Sequence, residues 1–169
     1  MHDPALRLFF ALPCPAAITR QIDAWRQGRQ FAGKQVPSAN LHLTLAFLGH
    51  LPQSRVALLE QLPPQLPLHE LEFDLQLDRL ECWHGGLLHL APARPPAELL
   101  ALADGLAQLL SQAGLPGEPR TYRPHLTLAR DSRLPDRIDA PHFSWRVREL
   151  GLYQSEQGRY LPLALWPLG

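Results

Sequence analysis

The sequence has no excess of charge of either sign. Its 16 basic and 16 acidic residues give a formal net charge of zero. Proteins that coat duplex nucleic acid neutralise many phosphates with a basic face, so this balance argues against duplex DNA as a partner. A protein that holds a single phosphate group or one strand end remains compatible with the composition.

Cysteine and long apolar runs are also scarce. Cys14 and Cys82 fit neither a disulfide framework nor a metal-binding motif, and we interpret them as buried thiols in a reducing compartment. The apolar run near the N-terminus has no basic lead and is broken by Pro13 and Pro15, which disfavours a signal peptide. No segment is long enough to span a membrane. These features predict a cytoplasmic protein.

Metal-ligand spacings are missing as well. Besides the two histidines discussed below, the chain has six others, which form no His-Glu-x-x-His motif or similar cluster: His2, His50, His69, His84, His89 and His142. We therefore expect no metal and no cofactor.

What is present is enough apolar sequence to build a core. Of the 169 residues, 46% are hydrophobic and 19% are charged, which is typical of a globular protein. The length suits one compact domain, and we expect residues 1–169 to form a single two-lobed domain, with a monomer as the simplest state.

Apolar periodicity predicts an alternation of short strands and helices. We expect strands at 6–12, 41–48 (closed by Gly49), 70–80, 87–91, 125–130, 143–153 and 160–166, and helices at 15–29, 53–62 and 95–113. Gly85 and Gly86 permit a hairpin turn before residue 87.

The most informative feature is a repeat. His-Leu-Thr-Leu-Ala occurs at 42–46 and again at 125–129, at comparable positions in the two halves of the chain. We interpret the halves as a diverged duplication. The predicted fold class is α+β, with two pseudo-symmetric lobes, each a mostly antiparallel sheet with helices packed outside, and a central groove between them.

Strand geometry gives the repeat a chemical meaning. On a strand, His42 and Thr44 point to one face while the flanking leucines point to the other, and the same holds for His125 and Thr127. If the two strands face each other across a groove, two imidazoles and two hydroxyls converge there. This set suits phosphodiester chemistry, since histidine can act as acid or base near neutral pH and threonine can donate to phosphate oxygens.

A structural role is the alternative. A lone His-x-Thr on a strand usually serves packing, but two copies with matching flanks favour a shared site. The remaining structural alternative is a duplicated strand whose His and Thr pack between the lobes.

At these residues the chain resembles the two-histidine phosphoesterases, and within them the bacterial RNA 2′,3′-cyclic phosphodiesterases, which are similar to LigT and are historically called 2′-5′ RNA ligases. The resemblance covers nearly the whole chain. It rests on RLFFALPCP at 7–15, NLHLTLAFLG at 40–49, YRPHLTLAR at 122–130 and RYLPLALWPL at 159–168.

The resemblance implies hydrolysis of an RNA or nucleoside 2′,3′-cyclic phosphate to a 2′-phosphomonoester without metal. His42 would be the general acid that protonates the leaving 3′-oxygen, and His125 the general base that activates water. Thr44 and Thr127 would hold the phosphate. The reverse reaction would join a cyclic end to a 5′-hydroxyl through a 2′-5′ linkage. The partners would be RNA 3′ ends or small nucleotides that carry the cyclic phosphate. The alternative is a module that binds such ends with little or no catalysis.

The chain departs from the family pattern at two places. Gln35 stands where relatives often carry Trp, before Val36 and Pro37. In the hairpin, Gly86 and His89 stand where Arg and Trp are usual. These departures leave the four motif residues intact and change the wall of the groove.

Two further candidates occupy the same place in each motif, five residues after the histidine. Strict alternation would aim Phe47 and Arg130 away from the groove, but a bulge near the strand end could turn them towards it. Arg130 could then bind phosphate or stack on a base, and Phe47 could stack on a base, with core packing as its alternative.

Minor candidates lie around this set. Arg7 and Phe9 share a face of the first strand, with Phe9 expected to be buried. Arg123 could steer phosphate or be a solvated loop residue. His84 and His89 are lesser candidates for ligand contact because of their place in the hairpin.

Overall fold

The computed structural model describes residues 2–117 and 119–169, so that Met1 and Glu118 lie outside the described residues. The strands are β1 (Ala5–Pro13), β2 (Lys34–Gln35), β3 (His42–Pro52), β4 (Phe73–Leu77), β5 (Arg79–Trp83), β6 (Leu87–Ala91), β7 (Leu126–Arg130), β8 (Phe143–Val147), β9 (Glu149–Glu156) and β10 (Arg159–Pro167). The helices are α1 (Ala16–Gln27), α2 (Val56–Glu60) and α3 (Ala97–Gln112).

Antiparallel pairing organises the strands. The main sheet has the order β10-β9-β1-β3-β7-β6-β5, and β2 also pairs with β7. A second sheet consists of β4 and β8. The predicted α+β class with mostly antiparallel strands is confirmed.

Helices cover the apolar face of the strands. Pro15 and Pro96 immediately precede α1 and α3 with extended backbone, which suits a helix start. The buried positions of α3 recur at helical spacing: Leu99, Leu102, Ala103, Leu106 and Leu110. These side chains join one core cluster with the inward-facing leucines of β1, β3 and β7.

Two segments that are predicted as single strands each form two strands in the structure. The segment at 70–80 divides at Asp78 into β4 and β5, which belong to different sheets. At this corner the Asp78 N–H donates to the Ala91 carbonyl (3.2 Å), and the Asp78 carboxylate accepts from the Ala93 N–H (2.7 Å). The segment at 143–153 likewise divides at Arg148 into β8 and β9. At both corners the spacing of the apolar residues changes from two to three, from Leu77 to Leu80 and from Val147 to Leu150, and this break in the alternation coincides with the change of sheet.

The strand of the first motif is longer than predicted. Gly49 does not end β3, which continues to Pro52, because Gly49 adopts φ 71° where the neighbouring Leu48 has no partner in β1. The helix predicted at 53–62 is correspondingly shorter: a 3₁₀ turn, Gln53–Arg55, precedes α2. Between α1 and β3, where no strand is predicted, the structure has β2.

The two halves of the main sheet meet at the motifs. Strands β3 and β7 are antiparallel neighbours that pair at Leu43 and Leu126. They lie side by side in one sheet, so the motif side chains share the face of this junction that is turned away from the core.

Candidate active site

The motif residues alternate as strand geometry requires. The leucines at 43, 45, 126 and 128 are buried in the core. His42, Thr44, His125 and Thr127 are partly exposed on the other face. We call that face of the main sheet the site face. The two imidazoles are close enough for the charge of His42 to lower the pKa of His125.

Both histidines are held in the same way. The Nδ1–H of His42 donates to the carbonyl of Asn40 (2.6 Å), and that of His125 donates to the carbonyl of Arg123 (2.8 Å), each two residues earlier. A carbonyl can only accept, so Nδ1 carries the proton and Nε2 is the atom left for chemistry. For His42, Nε2 lies 2.8 Å from the Thr44 hydroxyl, which donates to it when the ring is neutral.

Both imidazoles favour the neutral form. Burial lowers the pKa of His42, and the Arg130 guanidinium lowers it further, against the opposing hydrogen bond to Asn40. Burial also lowers the pKa of His125, aided by the charges of His89, His42 and Arg123. A neutral His125 is ready to accept a proton. An anionic phosphate bound nearby would raise the pKa of His42 and let it carry one.

A bulge occurs at the same motif position in both halves. Leu45 has no partner in β1, and Leu128 has no partner in β6. Each unpaired residue shifts by one position which of the following side chains face the site. Phe47 therefore lies on the site face, paired with Phe9 of β1. By the same shift Arg130 returns to the site face, close enough to His42 to affect its pKa. Both residues therefore lie on the site face, and their contact with a substrate stays a prediction.

A buried arginine supports the bulge in β7. The Leu128 carbonyl accepts from the Val36 N–H (2.8 Å) and from Nη1 of Arg26 (3.2 Å). The same Nη1 donates to the Val36 carbonyl (2.8 Å), and Asp23 pairs with the guanidinium. Arg26 was not predicted from the sequence, because one arginine on an amphipathic helix gives no sign that it reaches a strand about a hundred residues away.

Aromatic rings enclose His42. The ring centroids of Phe9 and Tyr160 each lie 5.0 Å from that of His42, and Tyr153 stacks on Phe9 at 5.5 Å. Phe9 is buried as expected, and it also forms part of the wall beside His42. The contribution of Tyr160 from the last strand was missed. Only the strand order β10-β9-β1-β3 brings it to the site.

The surroundings of His125 differ. The ring of Trp83 lies 4.4 Å from His125 and that of His89 lies 5.4 Å away, and the Arg123 guanidinium covers Trp83 at 4.7 Å. Nothing in the sequence pointed to Trp83, whereas His89 was a lesser candidate and Arg123 had two possible roles. His84 is exposed next to the turn and stays an unsupported candidate.

His89 is fully buried. It pairs across the sheet with Thr127 on one side and Glu81 on the other. Its Nδ1–H donates to the Leu87 carbonyl (3.1 Å), and its Nε2 lies 3.6 Å from the Glu81 carboxylate with no hydrogen-bond partner in the described part of the chain. Burial lowers its pKa, although Glu81 opposes this shift.

The departures from the family pattern fit the local backbone. Gly86 has φ 87°, and a Cβ there would lie 3.0 Å from the backbone nitrogen of Ser132, so an arginine would not fit this turn. Gln35 is exposed on β2 and donates from its amide to the Phe31 carbonyl (3.1 Å).

The cysteines and other potential metal ligands are dispersed. Cys14 and Cys82 are free and only half-buried, less buried than expected, and burial raises the pKa of the Cys14 thiol. Across residues 2–117 and 119–169, no three His, Cys, Asp or Glu side chains group together as a metal site would require. In the same ranges, no helix is long and apolar enough to cross a membrane.

The chain belongs to the 2′-5′ RNA ligase superfamily, whose sequence model matches residues 13–159. Relatives within this class are RNA 2′,3′-cyclic phosphodiesterases. That of Escherichia coli is 36% identical and covers 99% of each chain, and that of Thermus thermophilus is 32% identical over 89% of this chain and 82% of its own.

Solved structures agree in fold. The apo form of E. coli LigT superposes with a TM-score of 0.88 at 36% identity over 98% of both chains. The complex of E. coli LigT with 3′-AMP gives a TM-score of 0.88 at 35% identity, covering 97% of this chain and 98% of the other.

Proposed function

We propose that this protein hydrolyses 2′,3′-cyclic phosphates at RNA 3′ ends or on small nucleotides, leaving a 2′-phosphomonoester. The observation that carries the proposal is the paired anchoring of His42 and His125. Each presents Nε2 on the site face, each is fixed through Nδ1, and each is followed by a threonine hydroxyl.

The two imidazoles divide the acid and base roles. His125, whose pKa is lowered, takes a proton from water, and the resulting hydroxide attacks phosphorus. His42 gives a proton to the departing 3′-oxygen, so that the P–O3′ bond breaks and the phosphate stays on the 2′-oxygen. With a 5′-hydroxyl in place of water the same roles would give a 2′-5′ linkage: His125 takes the proton of the 5′-hydroxyl, and His42 protonates the 3′-oxygen as the P–O3′ bond breaks.

Neighbouring groups stabilise the charge that develops on phosphate. The hydroxyls of Thr44 and Thr127 donate to the non-bridging oxygens, and Arg130 supplies a cation on the same face. Phe47 offers an exposed ring on which a nucleobase can stack. No step requires a metal.

Several expectations about context belong to the same proposal. We propose that residues 1–169 act as a single two-lobed domain, as a monomer and in the cytoplasm. The zero formal charge supports a substrate held by one end over duplex DNA. The E. coli LigT complexes with 3′-AMP and with phosphate support a site that accepts a nucleotide and its phosphate.

The direct test is turnover of adenosine 2′,3′-cyclic phosphate with identification of the product. We expect 2′-AMP, and losses of at least about a hundredfold in kcat for His42→Ala and for His125→Ala. His142→Ala, an exposed histidine outside the site, is the matched control. Excess EDTA should leave the rate unchanged.

Other outcomes would favour other functions. A 3′-AMP product would reverse the orientation assigned to the substrate, and full activity in either alanine variant would remove the mechanism. Tight binding of the cyclic nucleotide with no turnover would indicate a binding module. Net formation of RNase-resistant 2′-5′ joints at cellular RNA concentrations would indicate a ligase.

A further inference from the structure

The site face continues well beyond the motif residues. Ala11 pairs with Thr44, Phe9 pairs with Phe47, and Arg7 pairs with His50, so the side chains of β1 at 11, 9 and 7 follow one another along this face. Arg7 is four residues from Ala11, which at about 3.4 Å per residue places its Cα roughly 14 Å along the strand from the Thr44 row. The face therefore extends past the space that the reacting phosphate needs.

A polar row crosses the sheet at this outer position. Arg7 also pairs with Ser155 of β9, and Ser155 pairs with Tyr160 of β10. His50, Arg7, Ser155 and Tyr160 therefore form one row across four strands. Tyr160 joins this row to the reacting centre, because its ring contacts His42.

Arg7 is exposed and its position is defined by an aromatic ring. Its guanidinium lies 5.0 Å from the centroid of Phe47, whose side chain is 54% exposed. Within the described ranges no carboxylate lies within the 4.0 Å of Arg7 that an ion pair requires. The cation is thus presented beside an open ring without a protein anion to neutralise it.

A cavity of about 490 Å³ adjoins this row, lined by residues 4–7, His50 and residues 154–158. Among the residues that line it, the one carboxylate is Glu156, which follows Ser155 in β9. The turn at Gly158 is tied to the reacting centre by Asn40, whose amide donates to the Gly158 carbonyl (2.8 Å) and whose own carbonyl accepts from His42.

We propose that Arg7, with Phe47 and the adjoining cavity, forms a subsite for the nucleotide that precedes the cyclic end, Arg7 binding its phosphodiester and Phe47 stacking its base. This rests on the proposed function and narrows it to oligonucleotide ends. A mononucleotide has only the reacting phosphate, so it has nothing for Arg7 to bind. Single-stranded nucleic acid sites combine cations along the backbone with exposed rings in this way.

The experiment compares adenosine 2′,3′-cyclic phosphate with the diadenylate that ends in the same cyclic phosphate. The wild-type chain should show the higher kcat/KM on the dinucleotide. Arg7→Gln should lower kcat/KM about two- to fivefold on the dinucleotide, the range of an exposed ion pair, and leave the mononucleotide unchanged. Arg20→Gln, an exposed arginine of α1, removes the same charge elsewhere and should change neither.

A second variant and a second readout make the outcomes decisive. Phe47→Ala should also reduce the preference for the dinucleotide. The salt dependence of log KM for the dinucleotide should weaken by about 0.7 in slope in Arg7→Gln, as expected for one lost phosphate contact. Equal kcat/KM of Arg7→Gln and wild type on the dinucleotide, or equal losses on both substrates, would overturn the subsite. Absence of turnover of both substrates by the wild-type chain would instead remove the proposed function.

Discussion

The hydroxyl of Tyr122 donates a hydrogen bond to the backbone carbonyl of Thr44 across 2.7 Å. It thereby joins the segment that precedes the second motif to the strand that carries the first. Burial raises the pKa of the Tyr122 phenol, so the hydroxyl keeps its proton throughout the working pH range. The bond fixes the main chain at the residue just before the Leu45 bulge.

Removing this hydroxyl should weaken the contact between the motifs. We expect Tyr122→Phe to lower the free energy of unfolding by about 1 kcal/mol, the typical net value of one such hydrogen bond. Urea denaturation measures this change, and kcat should fall as well, because Thr44 is less firmly placed. A variant with wild-type stability and wild-type kcat would show that the bond does neither.

The pH dependence of kcat/KM should be a bell centred below pH 6.5. The base His125 must be neutral, so kcat/KM rises as the pH rises through the pKa of His125. The acid His42 must be protonated, so kcat/KM falls as the pH rises through the pKa of His42. Both pKa values are lowered from 6.5 in the free protein, and kcat/KM reports the free protein. The two limbs belong to the coupled pair of imidazoles.

The alkaline limb has its own check. Arg130→Gln removes a cation that lowers the pKa of His42, so this limb should move to higher pH, alongside a loss of phosphate binding. A bell centred above pH 7 in the wild-type chain would contradict the assigned roles.

His89 should tune the acid limb through His125. Its charge lowers the pKa of His125, and its other neighbours that carry charge are Glu81 and Arg123. In His89→Phe the pKa of His125 should rise, so the acid limb of kcat/KM should move to higher pH. His84→Phe, on the exposed side of the same hairpin, is the control. An unchanged limb in His89→Phe would show that the two rings do not communicate.

Arg26 should matter for both stability and activity. Arg26→Met keeps the apolar part of the side chain but leaves the Val36 carbonyl without its donor and Asp23 without its cation. We expect about 1–3 kcal/mol lower free energy of unfolding, the cost of unpaired buried groups. Because the same group binds the Leu128 carbonyl, kcat/KM should also fall at temperatures where the variant remains folded.

The matched comparison is Arg20→Met on the exposed side of α1, which should change neither quantity. If Arg26→Met loses stability but keeps wild-type kcat/KM, the bulge in β7 does not depend on Arg26 for its catalytic geometry.

The motif residues could be placed from the sequence because strand alternation is a local rule. His42 and Thr44 oppose Leu43 and Leu45 whatever the rest of the fold does. The sequence suggests bulges only as a way of turning Phe47 and Arg130 towards the site. Their location at the fourth motif residue depends on pairing with β1 and β6, which the sequence does not encode locally.

The remaining site residues come from long-range register. Trp83 and His89 reach His125 through the pairing of β5, β6 and β7. The corner at Asp78 shows in the sequence only as a one-residue break in the apolar alternation, which does not tell which strand β5 pairs with. Tyr160 arrives from the last strand, and Arg26 from a helix whose periodicity predicts only which face is apolar.

In each repeat the unpartnered leucine sets the course of the strand. The residue two positions later determines which chemical group lies on the site face. One copy delivers an aromatic ring at that place and the other a guanidinium, on backbones that are bent in the same way. A difference at one residue can thus make the two repeats chemically unequal while the parts that hold the acid and the base stay alike.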